Sequence, residues 1–134
     1  GVSITEMRTA LATNLGGISG IRTYADIPDN PAMPAAVVQL QSVSYDQSFQ
    51  RGLVEYSFIV TVIFGRLATA SAQKNLDALI STGDRSVKAA VESDKTLAGS
   101  AYDVRVTEMS NVQSVTIGDI TYLSADFAVT VFAD

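Results

Sequence analysis

The chain contains no cysteine and no histidine among its 134 residues. Without cysteine there are no disulfides, thiolate metal sites or cysteine nucleophiles. Without histidine the Ser-His-Asp relay, imidazole general bases and histidine-built zinc sites are excluded. Positive charge is also scarce: nine Lys and Arg against fourteen Asp and Glu leave a formal net charge of −5, and the basic residues are scattered from Arg8 to Arg105. A grip on nucleic acid needs clustered cations, so none is expected. No apolar run approaches the length of a membrane span and no basic-then-apolar leader opens the chain, which leads us to expect a soluble, cytoplasmic protein. Gly1-Val2-Ser3-Ile4-Thr5 does match the Gly-x-x-x-Ser/Thr pattern of N-myristoylation. Without a basic companion that pattern is weak membrane evidence, and Gly1 is read as a processing remnant.

What is present is organised around residues 53–64, twelve residues with one charge, Glu55. Their β-branched, aromatic and aliphatic character reads as a long strand. Val54, Tyr56, Phe58, Val60, Val62 and Phe64 make one core face, while Leu53, Glu55, Ser57, Ile59, Thr61 and Ile63 make a mixed one. The mixed face is too polar for burial on both sides and, at Ile59 and Ile63, too apolar to be wholly wet. A local segment or a neighbouring subunit is expected to cover part of it. Both edges of this strand are expected to be paired, because an open edge of such residues invites aggregation.

Ser3-Ile4-Thr5-Glu6 forms a capping box, and Ile4, Met7, Leu11 and Leu15 recur at helical spacing behind it. Gly16-Gly17 is expected to stop this helix by taking positive φ. A short strand is expected within residues 18–25, followed by a stiff connector through Pro28, Pro31 and Pro34. The two Pro-x-x-Pro spacings there lack the basic flanks of an SH3 ligand. Residues 35–42 alternate as a strand with Ala36, Val38 and Leu40 on its apolar side, and residues 42–52 form a projecting β-arm or loop. Thr69 or Ser71 caps a helix with Ala72, Leu76, Leu79 and Ile80 inward, which Thr82-Gly83 ends. Asp84 is expected to cap a second helix, with Val87, Ala90 and Val91 inward and an Asp84–Lys88 pair outside. Residues 102–109 alternate with Tyr102, Val104 and Val106 on one side, and a break near Ser110-Asn111 precedes a short strand to Ile117. Gly118-Asp119 turns into a last long strand whose core set is Leu123, Ala125, Phe127, Val129 and Val131, with Ser124, Asp126 and Thr130 outward. The expected architecture is an α+β domain over residues 1–134: a largely antiparallel twisted sheet of four or five strands, with two or three helices packed mainly on one face.

A search for chemistry finds little. Gly16-Gly17-Ile18-Ser19-Gly20 follows a helix instead of opening one, and lacks the lysine of a P-loop and the spacing of a dinucleotide fingerprint. Its GxxG has none of the basic neighbours of a KH loop. Asp26 with Asp29, and Glu92 with Asp94, are near in sequence, but carboxylate catalysis depends on spatial separation and most such pairs are solvated surface. No calcium loop occurs, and Ser86 and Lys88 lack the spacing of a Ser-x-x-Lys nucleophile pair. No cofactor, metal or catalytic residue is expected.

Three runs carry a resemblance: RGLVEYSFIVTVI at 51–63, SVKAAVESDKTLAG at 86–99 and YDVRVTEMS at 102–110. Together they resemble the small tail-terminator, or tail-completion, proteins of long non-contractile-tailed bacteriophages, particularly those of actinobacterial phages. The resemblance runs from residue 35 to the C terminus and fits the opening helix in kind. It implies a structural virion protein of the tail or neck, assembled in the host cytoplasm, with no membrane partner. Such proteins form a homo-hexameric ring on the tail tube protein, end its polymerisation, and offer the surface to which the head's connector or head-closure protein joins. DNA would pass through the lumen without specific binding, and six copies at −5 each give a formal −30. By position, the expected subunit or partner interface is Tyr45, Asp46, Phe49, Gln50, Arg51, Glu55 and Ile59. The rival readings are another neck or tail component, such as a head-closure protein or tube subunit, and a small carboxylate-dependent hydrolase.

Overall fold

Ser3 opens the first helix as the capping box requires: its Oγ accepts the Glu6 amide at 3.1 Å. The computed structural model describes residues 3–18, 20–24, 34–45, 54–81, 83 and 86–133. Helix α1 (Ile4–Leu15) buries Met7, Leu11 and Leu15. The chain then turns through Gly16 at φ −61, an ordinary right-handed conformation. Gly20, not Gly16, takes the positive φ, at 86°. Strand β1 (Arg22–Tyr24) follows, and Pro34 accepts the Arg22 amide at 3.0 Å just before β2 (Ala35–Ser44). Pro28 and Pro31 lie outside the described residues.

β2 pairs antiparallel with β3 (Val54–Arg66), and β3 with β5 (Ile120–Ala133), so the central strand has both edges paired. β5 pairs in turn with β4 (Asp103–Ile117), giving the order β1-β2-β3-β5-β4 with only β1 and β2 parallel. Helices α2 (Ala70–Ile80) and α3 (Val87–Val91) join α1 over one face. This is an α+β fold, and its main core lies between the three helices and Tyr56, Phe58, Val60, Val62 and Phe64 of β3.

Several local expectations change once strands are paired. Simple alternation along β2 would turn Val43 outward. A register shift between Leu40 and Ser42 inserts one residue, so Val43 returns to the core side opposite Tyr56. The break near residue 110 is likewise a bulge inside one continuous fifteen-residue strand, with Asn111 at φ 55. A further shift between Val106 and Glu108 brings Met109 rather than Glu108 back to the core. Tyr102, expected inward, precedes the strand and is 65% exposed. Ser124, expected outward, is buried at the covered end of the outer face.

The helix ends also differ in detail. Thr69, and not Ser71, caps α2 by accepting the Ala72 amide. Ile80, expected inward, falls on the last turn and is exposed. Ser86 caps α3 through the Ala89 amide at 3.0 Å, replacing the expected cap at Asp84, which lies outside the described residues. Lys88 forms its ion pair with Glu92, one turn ahead.

Candidate interaction surface

Among the described residues, no helix lies over the sheet face turned away from α1, α2 and α3. Its rows follow from the pairing: Ser44, Glu55, Phe132 and Asp103; Ser42, Ser57, Thr130 and Arg105; Gln39, Ile59, Ala128 and Glu108. One end is closed locally, where Ala35, Ile63 and Tyr122 are buried with Tyr24, Val115, Ile117 and Ile120 packed against them. Toward the other end Glu55, Ile59, Ala128 and Phe132 are only half-buried. Local packing therefore buries Ile63, while Ile59 stays half-buried.

Between these ends the face is held by a small polar network. Thr61 Oγ1 donates to Asp126 Oδ1 at 2.9 Å, and Asn111 Nδ2 donates to Asp126 Oδ2 at 3.2 Å. The positive φ at Asn111 lets its short amide reach across the bulge to β5. Below it Arg105 Nε donates to Asp103 Oδ2 at 2.9 Å. Partial burial raises the Asp103 pKa, and the hydrogen bonds from Arg105 and Val104 outweigh that and bring it below the ordinary 3.8.

Of the residues expected at an interface, Glu55 and Ile59 share this outer face four positions apart on β3. Tyr45 is 71% exposed and follows Ser44, the cross-strand neighbour of Glu55. Glu55 and Tyr45 therefore fall at one end of the sheet, and Ile59 lies further along β3 in the row of Gln39 and Ala128. Asp46, Phe49, Gln50 and Arg51 lie outside the described residues, as does most of the expected arm.

The candidate acid pairs divide the same way. Asp26 and Asp29 are outside the described residues. Glu92 and Asp94 are both engaged in holding backbone. Glu92 Oε2 accepts the Val106 amide at 2.9 Å and also takes Lys88. Burial pushes the Glu92 carboxyl upward, but these two bonds prevail and its pKa falls below the ordinary 4.5. Asp94 accepts from the Thr96 hydroxyl at 2.7 Å and from the amides of Ala98 and Thr96 at 2.9 and 3.1 Å, and the Thr96 hydroxyl leads in lowering its pKa. Neither carboxyl has the raised pKa of a general acid. Among the described residues no cluster of three or more acidic side chains has metal-binding geometry.

Sequence reasoning missed the turn after α3. Leu97, Ala98 and Gly99 all have positive φ (48°, 57° and 89°), an unusual run for two non-glycine residues. Asp94 holds the turn from outside, and Leu97 is fully buried beneath it. Asn14 of α1 donates to the carbonyls of Val91 and Asp94 at 3.1 and 3.2 Å, docking the turn on the helix. A shallow groove of about 450 Å³ runs between them, with Thr9, Ala10, Thr13 and Leu97 in its lining. The only local signal was Gly99, which does not announce its two neighbours.

No protein-family model and no curated protein matches this chain. Among solved structures, one whose title describes no function is 18% identical with a TM-score of 0.48, covering 100% of this chain and 98% of its own. Another, titled as the virion of a native gene transfer agent particle, is 15% identical with a TM-score of 0.34, covering 92% and 84%. At these values neither likeness carries an argument about what this chain does.

Proposed function

We propose that this chain is a structural virion protein of the tail-terminator kind: copies associate as a ring that caps a tail tube, ends its growth and presents a joining surface to the head. The observation that carries this reading is the outer sheet face, where Ile59, Ala128 and Phe132 are half-buried with no helix above them among the described residues, and Tyr45 is exposed at the end of β2. Apolar area left in that state is stabilised by association, at about 25 cal/mol per Å² removed from water. The resemblance of three runs to tail terminators supports the same reading. In the fold these runs include most of β3, all of α3 and about the first half of β4, so they span the helix layer and the sheet. A ring of six copies at −5 each would carry −30, and an acidic lumen lets DNA slide without adhering.

The direct test mixes purified protein with self-assembling tail-tube subunits and measures tube length by electron microscopy. Short tubes of defined length, capped at one end, support the terminator role. Tubes that keep growing regardless of added protein remove it. If the protein polymerises by itself into long tubes, the tube-subunit reading replaces it.

A further inference from the structure

β4 ends the sheet, and among the described residues no strand pairs with its outer side. A free edge fifteen residues long is a template for another strand. At one position side chains close it. Val106 stands opposite Val129 of β5, yet its amide donates to Glu92 Oε2 at 2.9 Å and its carbonyl accepts from Lys88 Nζ at 3.2 Å. Lys88 lies on α3 and Glu92 caps its C terminus, and the two side chains bond each other. One carboxylate and one ammonium thus supply the acceptor and donor that a neighbouring strand would present there. The order of the pair agrees with this role. Acid-first is the better i,i+4 arrangement for a helix, whereas here the lysine comes first on a helix of only five residues. Its principal gain lies in satisfying Val106.

We propose that Lys88 and Glu92 guard the β4 edge against antiparallel pairing with β4 of a second copy. Charge selects that occupant. Asp103 and Arg105 flank Val104 on one face and bond each other at 2.9 Å, with the Arg105 side chain 64% exposed. Two β4 strands paired about Val104 set each Asp103 opposite the other copy's Arg105, so a two-fold arrangement answers both charges. Continuing that ladder requires the outward peptide groups of Val106, which α3 occupies. The guard acts at the β4 edge and does not rest on the ring proposed above, although Asp103 shares a cross-strand row with Glu55 and Phe132 of that face.

The test uses the full chain carrying Lys88→Ala and Glu92→Ala, with folding checked by circular dichroism and mass by analytical ultracentrifugation at matched concentrations. A roughly twofold rise in mass over the wild-type assembly state is expected. Adding Arg105→Asp should abolish the rise, because it sets acid against Asp103, and further adding Asp103→Arg should restore it. Should the alanine pair fail to fold, Lys88→Met with Glu92→Met keeps the apolar stems and carries the same expectations. A folded guard variant of wild-type mass, or a rise that Arg105→Asp leaves unchanged, overturns the proposal.

Discussion

Asn75, midway along α2, donates its Nδ2 to the Phe64 carbonyl at 2.8 Å. Phe64 is the residue at which β3 loses register with β5, between the pairs Ile63↔Ser124 and Gly65↔Leu123. The bulge takes this carbonyl out of regular pairing, and the helix amide satisfies it. Asn75→Ala should therefore destabilise the fold by about 1–3 kcal/mol in urea unfolding, because the carbonyl loses its partner in a partly buried place. Lys74→Ala, one residue away and exposed, should change stability by no more than about 0.5 kcal/mol.

The same bulge brings Gly65 against α2. A Cβ added there would meet the Cα and Cβ of Ala72 at 3.2 Å, and the neighbour is helix backbone that cannot swing aside. Gly65→Ala is expected to lower stability by about 1–3 kcal/mol, and Ala72→Gly in the same chain to recover part of the loss. Gly83→Ala meets only Ser81 Oγ at 3.7 Å and should be far milder. Equal losses at the two glycines would refute the close-approach argument.

Phe58 and Ile59 are neighbours in β3 with opposite fates. Phe58 is fully buried among the helices, so Phe58→Ala should cost about 3–5 kcal/mol. Ile59→Ala together with Tyr45→Ala should leave the thermal midpoint nearly unchanged and instead weaken subunit or partner association, read as a drop in ring mass or tube capping. A large fall in midpoint would show that these two side chains belong to the core of the isolated chain.

Glu92, Asp94 and Asp103 all have pKa values below their ordinary ones. Groups depressed in the folded state bind fewer protons there than in the unfolded chain. Their stabilisation is complete above the ordinary carboxylate pKa and is lost as pH falls through the folded values. Unfolding free energy should therefore be flat near neutrality and decline in the acid range. The difference between wild type and Glu92→Gln should narrow as Glu92 itself becomes protonated; a gap that stays constant down to about pH 3 would rule out the carboxylate as its source.

Much of the architecture was legible because its causes are local. The Ser3 cap with Met7, Leu11 and Leu15, the Gly118-Asp119 turn, and the alternating core set from Leu123 to Val131 all act within a few residues of one another. The less legible features lie where a second strand intervenes: the break expected near Ser110-Asn111 is a bulge within β4, and Met109 and Val43 reach the core through bulges, which exist only relative to the partner strand they mismatch. At the candidate interface, the common face of Glu55 and Ile59 was readable from their even spacing, but the full burial of Ile63 against the half-burial of Ile59 was not.

By itself the sequence determined the class of fold, because periodicity and capping are set by neighbouring residues, and it excluded cysteine and histidine chemistry by composition. Only the tertiary structure decided the strand order, the left-handed turn that buries Leu97, and the engagement of Lys88 and Glu92 with Val106. The reason is physical: each of these is settled by hydrogen-bonding groups far apart along the chain, whose partners are chosen when the sheet closes its register and the helices dock upon it.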